Sequence, residues 1–117
     1  MSKTFKNKFN FDTRTKESSK ILTKYPDRIP IIVSRSKNST LPELEKSKFL
    51  VPSDLTLGQF QTVLRKRIKL ADTEAIFIFI NDTKLCTGSD NISNLYDENK
   101  DDDGFLYITY CSENVFG

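Results

Sequence analysis

Apolar positions are thinly spread at the front of the chain and regularly patterned behind it. Residues 1–24 are polar and basic, with Phe5, Phe9, Phe11, Ile21 and Leu22 scattered among them. Asp12 or Thr13 is placed to cap a helix running to about Thr23, with Glu17 and Ile21 one turn apart on one face. Tyr25-Pro26-Asp27-Arg28 breaks it, because proline disfavours helix in the residue before it. Ile29–Val33 reads as a strand, with Pro30 near its start, where a missing N–H does least harm. Residues 34–45 read as a turn or long hairpin loop. Lys48–Val51 reads as a second short strand ended by Pro52. Thr56-Leu57-Gly58-Gln59 fits a capping box, and Leu57, Phe60, Val63, Leu64 and Ile68 follow at helical spacing. Arg65, Lys66, Arg67 and Lys69 crowd the end of that helix, where its dipole favours cations. Ala75–Ile80 is a continuous apolar run, as in a strand covered on both faces. Asn81-Asp82 turns the chain, Ile92, Leu95 and Tyr96 mark a short helix, Asp97–Gly104 an acidic loop, and Leu106–Tyr110 a last strand.

Two strands, a long helix, a buried strand, a short helix and a last strand, behind a basic helical segment, suit a mixed sheet with one face on the central helix. That is a β-grasp arrangement. At 117 residues a single domain is the natural expectation, and a chain of this length buries roughly two-thirds of its unfolded surface.

Charge changes the picture. Residues 1–48 carry twelve Lys/Arg and five Asp/Glu, a net of +7, whereas residues 49–117 carry six and eleven, a net of −5. A basic front half suits acidic partners or anionic lipid, although a solvated charged surface has the same composition. The chain has no histidine and two cysteines, Cys86 and Cys111, which are not a CxxC pair. Histidine-assisted nucleophiles are therefore excluded, and a structural zinc site and intrinsic hydrolase activity are not expected. No cofactor or metal is expected. Without a signal peptide or an apolar run of membrane-spanning length, a cytosolic chain with reduced thiols is expected.

Several stretches carry a resemblance. They are Lys24-Tyr25-Pro26-Asp27-Arg28-Ile29-Pro30, Lys48-Phe49-Leu50-Val51-Pro52-Ser53-Asp54-Leu55-Thr56, Gly58-Gln59-Phe60, Leu64-Arg65-Lys66-Arg67-Ile68, Phe105-Leu106-Tyr107 and the final Phe116-Gly117. Together they span the chain from about Phe5 onward and resemble the autophagy ubiquitin-like modifiers, the GABARAP-like family. The resemblance implies an α+β fold, a ubiquitin-like β-grasp core with two additional N-terminal helices. Residues 1–24 would be a helical extension packed on the core, and 25–117 the ubiquitin-like domain with its conjugation tail.

The same resemblance implies a substrate of a conjugation cascade rather than an enzyme. Gly117 would be activated by ATP, carried as a thioester by activating and conjugating enzymes, and joined to phosphatidylethanolamine, with Phe116 seating the tail. A deconjugating cysteine protease would reverse the linkage. Many relatives carry residues beyond this glycine; here either no priming cut is needed or the chain has been shortened to it. The protein would be cytoplasmic when unconjugated and on autophagosome and related vesicle membranes when lipidated.

The second implied function is docking of aromatic-x-x-aliphatic motifs of cargo receptors and autophagy factors along the Lys48–Pro52 edge. Carried over by position, the aromatic pocket is Glu17, Ile21, Pro30, Ile32, Lys48, Leu50 and Phe105. The aliphatic pocket is Phe49, Val51, Pro52, Leu55, Phe60 and Val63, the last a position where the family often has leucine. Arg28, Lys46, Lys48 and Arg67 would meet acidic residues beside the motif. On spacing alone, Leu55, Phe60 and Val63 read as core, and Arg65-Lys66-Arg67 as a solvated helix end. The competing functions are a ubiquitin-fold interaction domain that is never conjugated and a cytoskeletal adaptor meeting acidic tubulin tails of microtubules. A nucleic-acid binder is disfavoured by the acidic second half and the lack of basic residues interleaved with aromatics. A thiol enzyme on Cys86 or Cys111 is disfavoured because neither has a base nearby in sequence.

Overall fold

A computed structural model describes residues 4–37, 39–71, 73–81, 84–85 (main chain) and 88–112. In order the elements are α1 (Phe5–Lys8), α2 (Phe11–Lys24), β1 (Arg28–Arg35), β2 (Lys48–Pro52), α3 (Leu57–Arg67), β3 (Phe77–Ile80), β4 (Lys84–Leu85), α4 (Ile92–Asn99) and β5 (Leu106–Cys111). The strands form one sheet in the order β2-β1-β5-β3-β4. β1 and β5 are parallel, and the other pairings are antiparallel. This is the β-grasp order, with the first and last long strands side by side at its centre.

Several boundaries differ from the sequence pattern. Asn10, not Asp12 or Thr13, caps α2, its side chain accepting from the Thr13 N–H at 2.8 Å. Phe9-Asn10 separates a short α1, capped by Thr4, which the sparse apolar residues did not mark. β1 continues to Arg35 because its parallel pairing with β5 runs to Tyr110. The apolar run at 75–80 enters the sheet only at Phe77, and α4 takes the first three residues of the expected acidic loop. The Thr56–Gln59 capping box is present in both directions. Asp82, Cys86, Phe116 and Gly117 lie outside the described residues.

The twofold alternation of each strand divides the apolar side chains between two faces. Ile29, Ile31 and Val33 of β1, Val51 of β2, and Leu106, Ile108 and Tyr110 of β5 meet Leu57, Phe60, Leu64 and Ile68 of the α3 side. Ile92, Leu95 and Tyr96 of α4 complete that core. On the opposite face, Ile32, Leu50 and Tyr107 meet Phe5, Ile21 and Phe105. The second cluster is small, and it fixes the N-terminal helices to the sheet.

Beside that cluster lies a buried polar anchor. Asp103 is fully buried and receives Arg14 Nε at 2.8 Å and the Phe105 N–H at 2.9 Å. Tyr107 donates its hydroxyl to the same carboxylate, and Ser18 donates to the Asp103 carbonyl. Arg14 also donates to the carbonyls of Lys6 (3.2 Å) and Phe9 (2.8 Å), satisfying the end of α1. The turn after Asp103 requires glycine. Gly104 has φ +90, and a Cβ there would meet Ser18 Oγ at 2.4 Å.

Removing one member of a buried ion pair leaves the other charge uncompensated. Arg14→Leu is expected to destabilise the fold by about 3 kcal/mol, the low end for such changes because Tyr107 and Phe105 still donate to Asp103. The double variant Arg14→Leu/Asp103→Leu should be less destabilised than additivity of the singles predicts. Urea denaturation of the three variants checks both statements.

Candidate functional site

β2 is an edge strand, and its register determines which main-chain groups it offers. Ile31 faces Phe49 and Ile29 faces Val51. The Val33 N–H bonds the Ser47 carbonyl at 2.8 Å, and the Ser53 N–H bonds the Asp27 carbonyl at 2.9 Å. Hydrogen-bonded pairs alternate along an antiparallel ladder. Phe49 and Val51 therefore turn their N–H and C=O groups inward to β1, whereas Lys48 and Leu50 turn theirs outward. Pro30 sits opposite Leu50 and precedes the β1–β5 ladder, which begins at Ile31, so its missing N–H removes no strand bond. Arg28 Nη1 reaches the outward Leu50 carbonyl at 3.3 Å.

The residues assigned to the aromatic pocket gather at this edge. Ile21, Ile32 and Phe105 form one cluster with Leu50 packed against it. Phe105 is wholly buried, while Glu17, Lys48 and Leu50 are half-buried. Pro30 is buried beneath Leu50 in the strand pair. Lys48 Nζ and the Glu17 carboxylate form an ion pair that links β2 to α2. The pair is about one-third exposed and therefore contributes little to stability.

The aliphatic set lies on the α3 face. Phe60 is fully buried and meets Phe49 edge to face at 5.6 Å. Val51 is buried, while Leu55 and Pro52 are half-buried. Val63 is among the exposed large apolar side chains. Phe60 and Val51 are thus core side chains, whereas Phe49, Leu55 and Val63 present accessible surface. Arg28, Lys46 and Arg67 are exposed. Phe116 and Gly117, the expected conjugation residues, lie outside the described residues. Cys111 is buried in β5. Among the described residues no metal-ligating group of three gathers, and no helix is long and apolar enough to cross a membrane.

Side chains outside the assigned positions pack against Phe105 and the turn that carries it. Phe5 stands edge-on to Phe105 with ring centroids 5.2 Å apart. Lys6 Nζ bonds Asp101 at 2.7 Å and lies over the Tyr107 ring at 4.6 Å. Burial and the hydrogen bond to Asp103 push the Tyr107 hydroxyl far above its ordinary pKa, so it stays a donor. Their sequence signal is slight: three phenylalanines in a basic segment and one aspartate among several in an acidic loop. A groove of about 540 Å³ on the far side of α1 is lined by Phe5, Lys6, Asn81, Asn99, Tyr107 and Thr109 among others. Of the assigned pocket residues it shares only Ile32.

A model of the family described as "Autophagy protein Atg8 ubiquitin like" matches residues 13–117. Autophagy-related protein 8c of Arabidopsis thaliana is 54% identical over 113 residues, spanning 97% of this chain and 94% of the relative. Autophagy-related protein 8 of Mycosarcoma maydis is 50% identical over 117 residues, spanning 100% and 98%. The crystal structure of Trypanosoma brucei ATG8 is similar with a TM-score of 0.90 at 43% identity, over 100% of each chain.

The α1 contact carries a pH signature. Burial alone would raise the Asp101 pKa, but the Lys6 ammonium and the Asp103 N–H outweigh it and hold the carboxyl below its ordinary value. A depressed folded pKa gives stability that is complete above the unfolded carboxylate range and lost as pH falls through the folded pKa. Asp101→Asn should therefore be less stable than the parent at neutral pH, with the difference narrowing below about pH 4. Thermal melts of both proteins between neutral and acidic pH check this.

Proposed function

Because the chain belongs to the Atg8 family of autophagy-related ubiquitin-like proteins, we propose that it is a membrane-conjugated docking receptor. The supporting observation is the open β2 edge, with the Lys48 and Leu50 main-chain groups outward between an Ile21/Ile32/Phe105 cluster and a Phe49/Leu55/Val63 surface. An extended peptide adds to that edge as a further strand. Its aromatic side chain enters over Phe105, and its aliphatic side chain three positions on meets Phe49, Leu55 and Val63. Acidic residues preceding the aromatic anchor compete with Glu17 for Lys48, and Arg28, Lys46 and Arg67 add attraction. The partners are cargo receptors and autophagy factors carrying such motifs.

Conjugation supplies the membrane. A carboxylate is a poor acyl donor because attack would have to expel oxide. Adenylation of Gly117 by ATP releases pyrophosphate and creates a better leaving group. An enzyme thiolate displaces AMP, the thioester passes to the conjugating enzyme, and the phosphatidylethanolamine amine displaces that thiolate to form an amide. A cysteine protease hydrolyses the amide. The two acyl chains of the adduct suffice for stable anchoring, where one would be marginal. The protein is then cytoplasmic before conjugation and on autophagosomal membranes after it. Residues 1–24 are the helical extension and 25–117 the ubiquitin-like domain, which catalyses no step itself.

The combined substitution Lys48→Ala/Leu50→Ala should weaken an aromatic-x-x-aliphatic peptide by about tenfold or more, the loss of a central anchor. The melting transition should remain cooperative. Titration calorimetry measures it, and parental affinity in the variant would contradict the assigned edge. The parent's affinity should also fall as salt rises. For conjugation, the chain is mixed with cognate activating and conjugating enzymes, ATP and phosphatidylethanolamine liposomes. The mass should rise by one lipid only when ATP and Gly117 are both present. No gain, with enzymes active on a control substrate, would leave a docking module that is not conjugated.

A further inference from the structure

We propose that Phe5 on α1 is a positioning residue for the aromatic pocket, setting how strongly the pocket prefers a large aromatic anchor. The proposal rests on the docking function above. Phe105 is fully buried, so it acts on a ligand only as the pocket floor, and its position depends on what stands behind it. Phe5 stands there, edge to face at 5.2 Å with an interplanar angle of 72°. Its own ring is half-buried and also meets Phe9 at 5.1 Å.

On its other side Phe5 borders the groove of about 540 Å³. If the ring were removed, that space would extend toward Phe105, which would keep only Ile21, Ile32, Leu50 and Tyr107 of its cluster beside it. Dense packing holds side chains in place because a void removes contact on one side. The floor would then lose its support without loss of the strand edge, the Lys48–Glu17 rim or the aliphatic surface. A side chain long enough to reach the floor feels that loss, and a shorter anchor does not.

The placement of Phe5 is itself coupled to the floor. Lys6, the next residue, pairs with Asp101 and covers Tyr107. The Asp101 carboxylate accepts the Asp103 N–H at 3.1 Å, and Asp103 in turn accepts from Phe105. One turn therefore holds α1 and the pocket floor together.

The experiment titrates the parent, Phe5→Ala, Phe5→Tyr and Asp101→Asn with two peptides that differ only in tryptophan or leucine at the first anchor. The parent should prefer the tryptophan peptide. Phe5→Ala should lower affinity for it about two- to tenfold, the span carried by an edge-to-face aromatic pair. Affinity for the leucine peptide should change less than about twofold. Phe5→Tyr should restore the preference, and Asp101→Asn should reduce it in the same direction but by less. An unchanged tryptophan-to-leucine ratio in Phe5→Ala overturns the proposal, whether both affinities fall together or neither falls. If Phe5→Ala does not fold, an unchanged ratio in Asp101→Asn overturns it. A parent that binds neither peptide removes the docking function and this proposal with it. A parent that binds with an unmoved ratio removes the proposal alone.

Discussion

The Arg14–Asp103 ion pair governs the arrangement of the N-terminal half. Burying two charges is costly unless hydrogen bonds occupy their remaining capacity. Here Asp103 accepts from Arg14, Tyr107 and the Phe105 N–H, while Arg14 also binds the carbonyls that end α1. The network joins α1, α2, the turn at 101–105 and β5 at one point. Charge-assisted bonds of this kind fix direction as well as distance. The apolar cluster beside it is small, so hydrophobic burial alone would hold the helices on the sheet with little geometric definition. With the ion pair in place, Ile21 and Glu17 on α2 are set over Ile32 and Lys48 at the sheet edge.

The second constraint is the register of β1 against β2. A one-residue slip would exchange both the faces of the side chains and the direction of the main-chain groups. Phe49 and Val51 are tied to the α3 core, which holds Leu50 toward the N-terminal helices and the main-chain groups of Lys48 and Leu50 toward solvent. Exposed edges invite unspecific pairing. This one is short, carries Lys48 and ends in Pro52, features that limit indiscriminate strand addition while leaving room for a peptide with the right side chains.

The core of the fold was legible because its signals are local and periodic. The Thr56–Gln59 box and the apolar spacing through Ile68 marked α3, and short runs of apolar and β-branched or aromatic residues marked β1 and β5. The two-residue β4 was not legible, since Lys84-Leu85 has no pattern of its own and pairs only because β3 passes beside it. Helix α1 was equally silent: its four residues bury no side chain fully, and its stability comes from Arg14 and Phe105. For the site, the positions of Lys48, Leu50 and Phe49 followed from matching stretches of sequence. The full burial of Phe105 and Phe60 did not, because a motif gives position but not exposure. Phe5 meets Phe105, and Asp103 meets Arg14, from opposite ends of the sequence, and such a contact leaves no local trace.

The most direct test of the central claim is amide hydrogen exchange at single-residue resolution, with and without an aromatic-x-x-aliphatic peptide. Strand addition at the β2 edge predicts that the Lys48 and Leu50 amides exchange fast in the free protein and become protected on binding. The Phe49 and Val51 amides, already bonded to β1, should be protected in both states. Peptide binding that leaves Lys48 and Leu50 as fast as before would contradict the account and place the peptide on another surface.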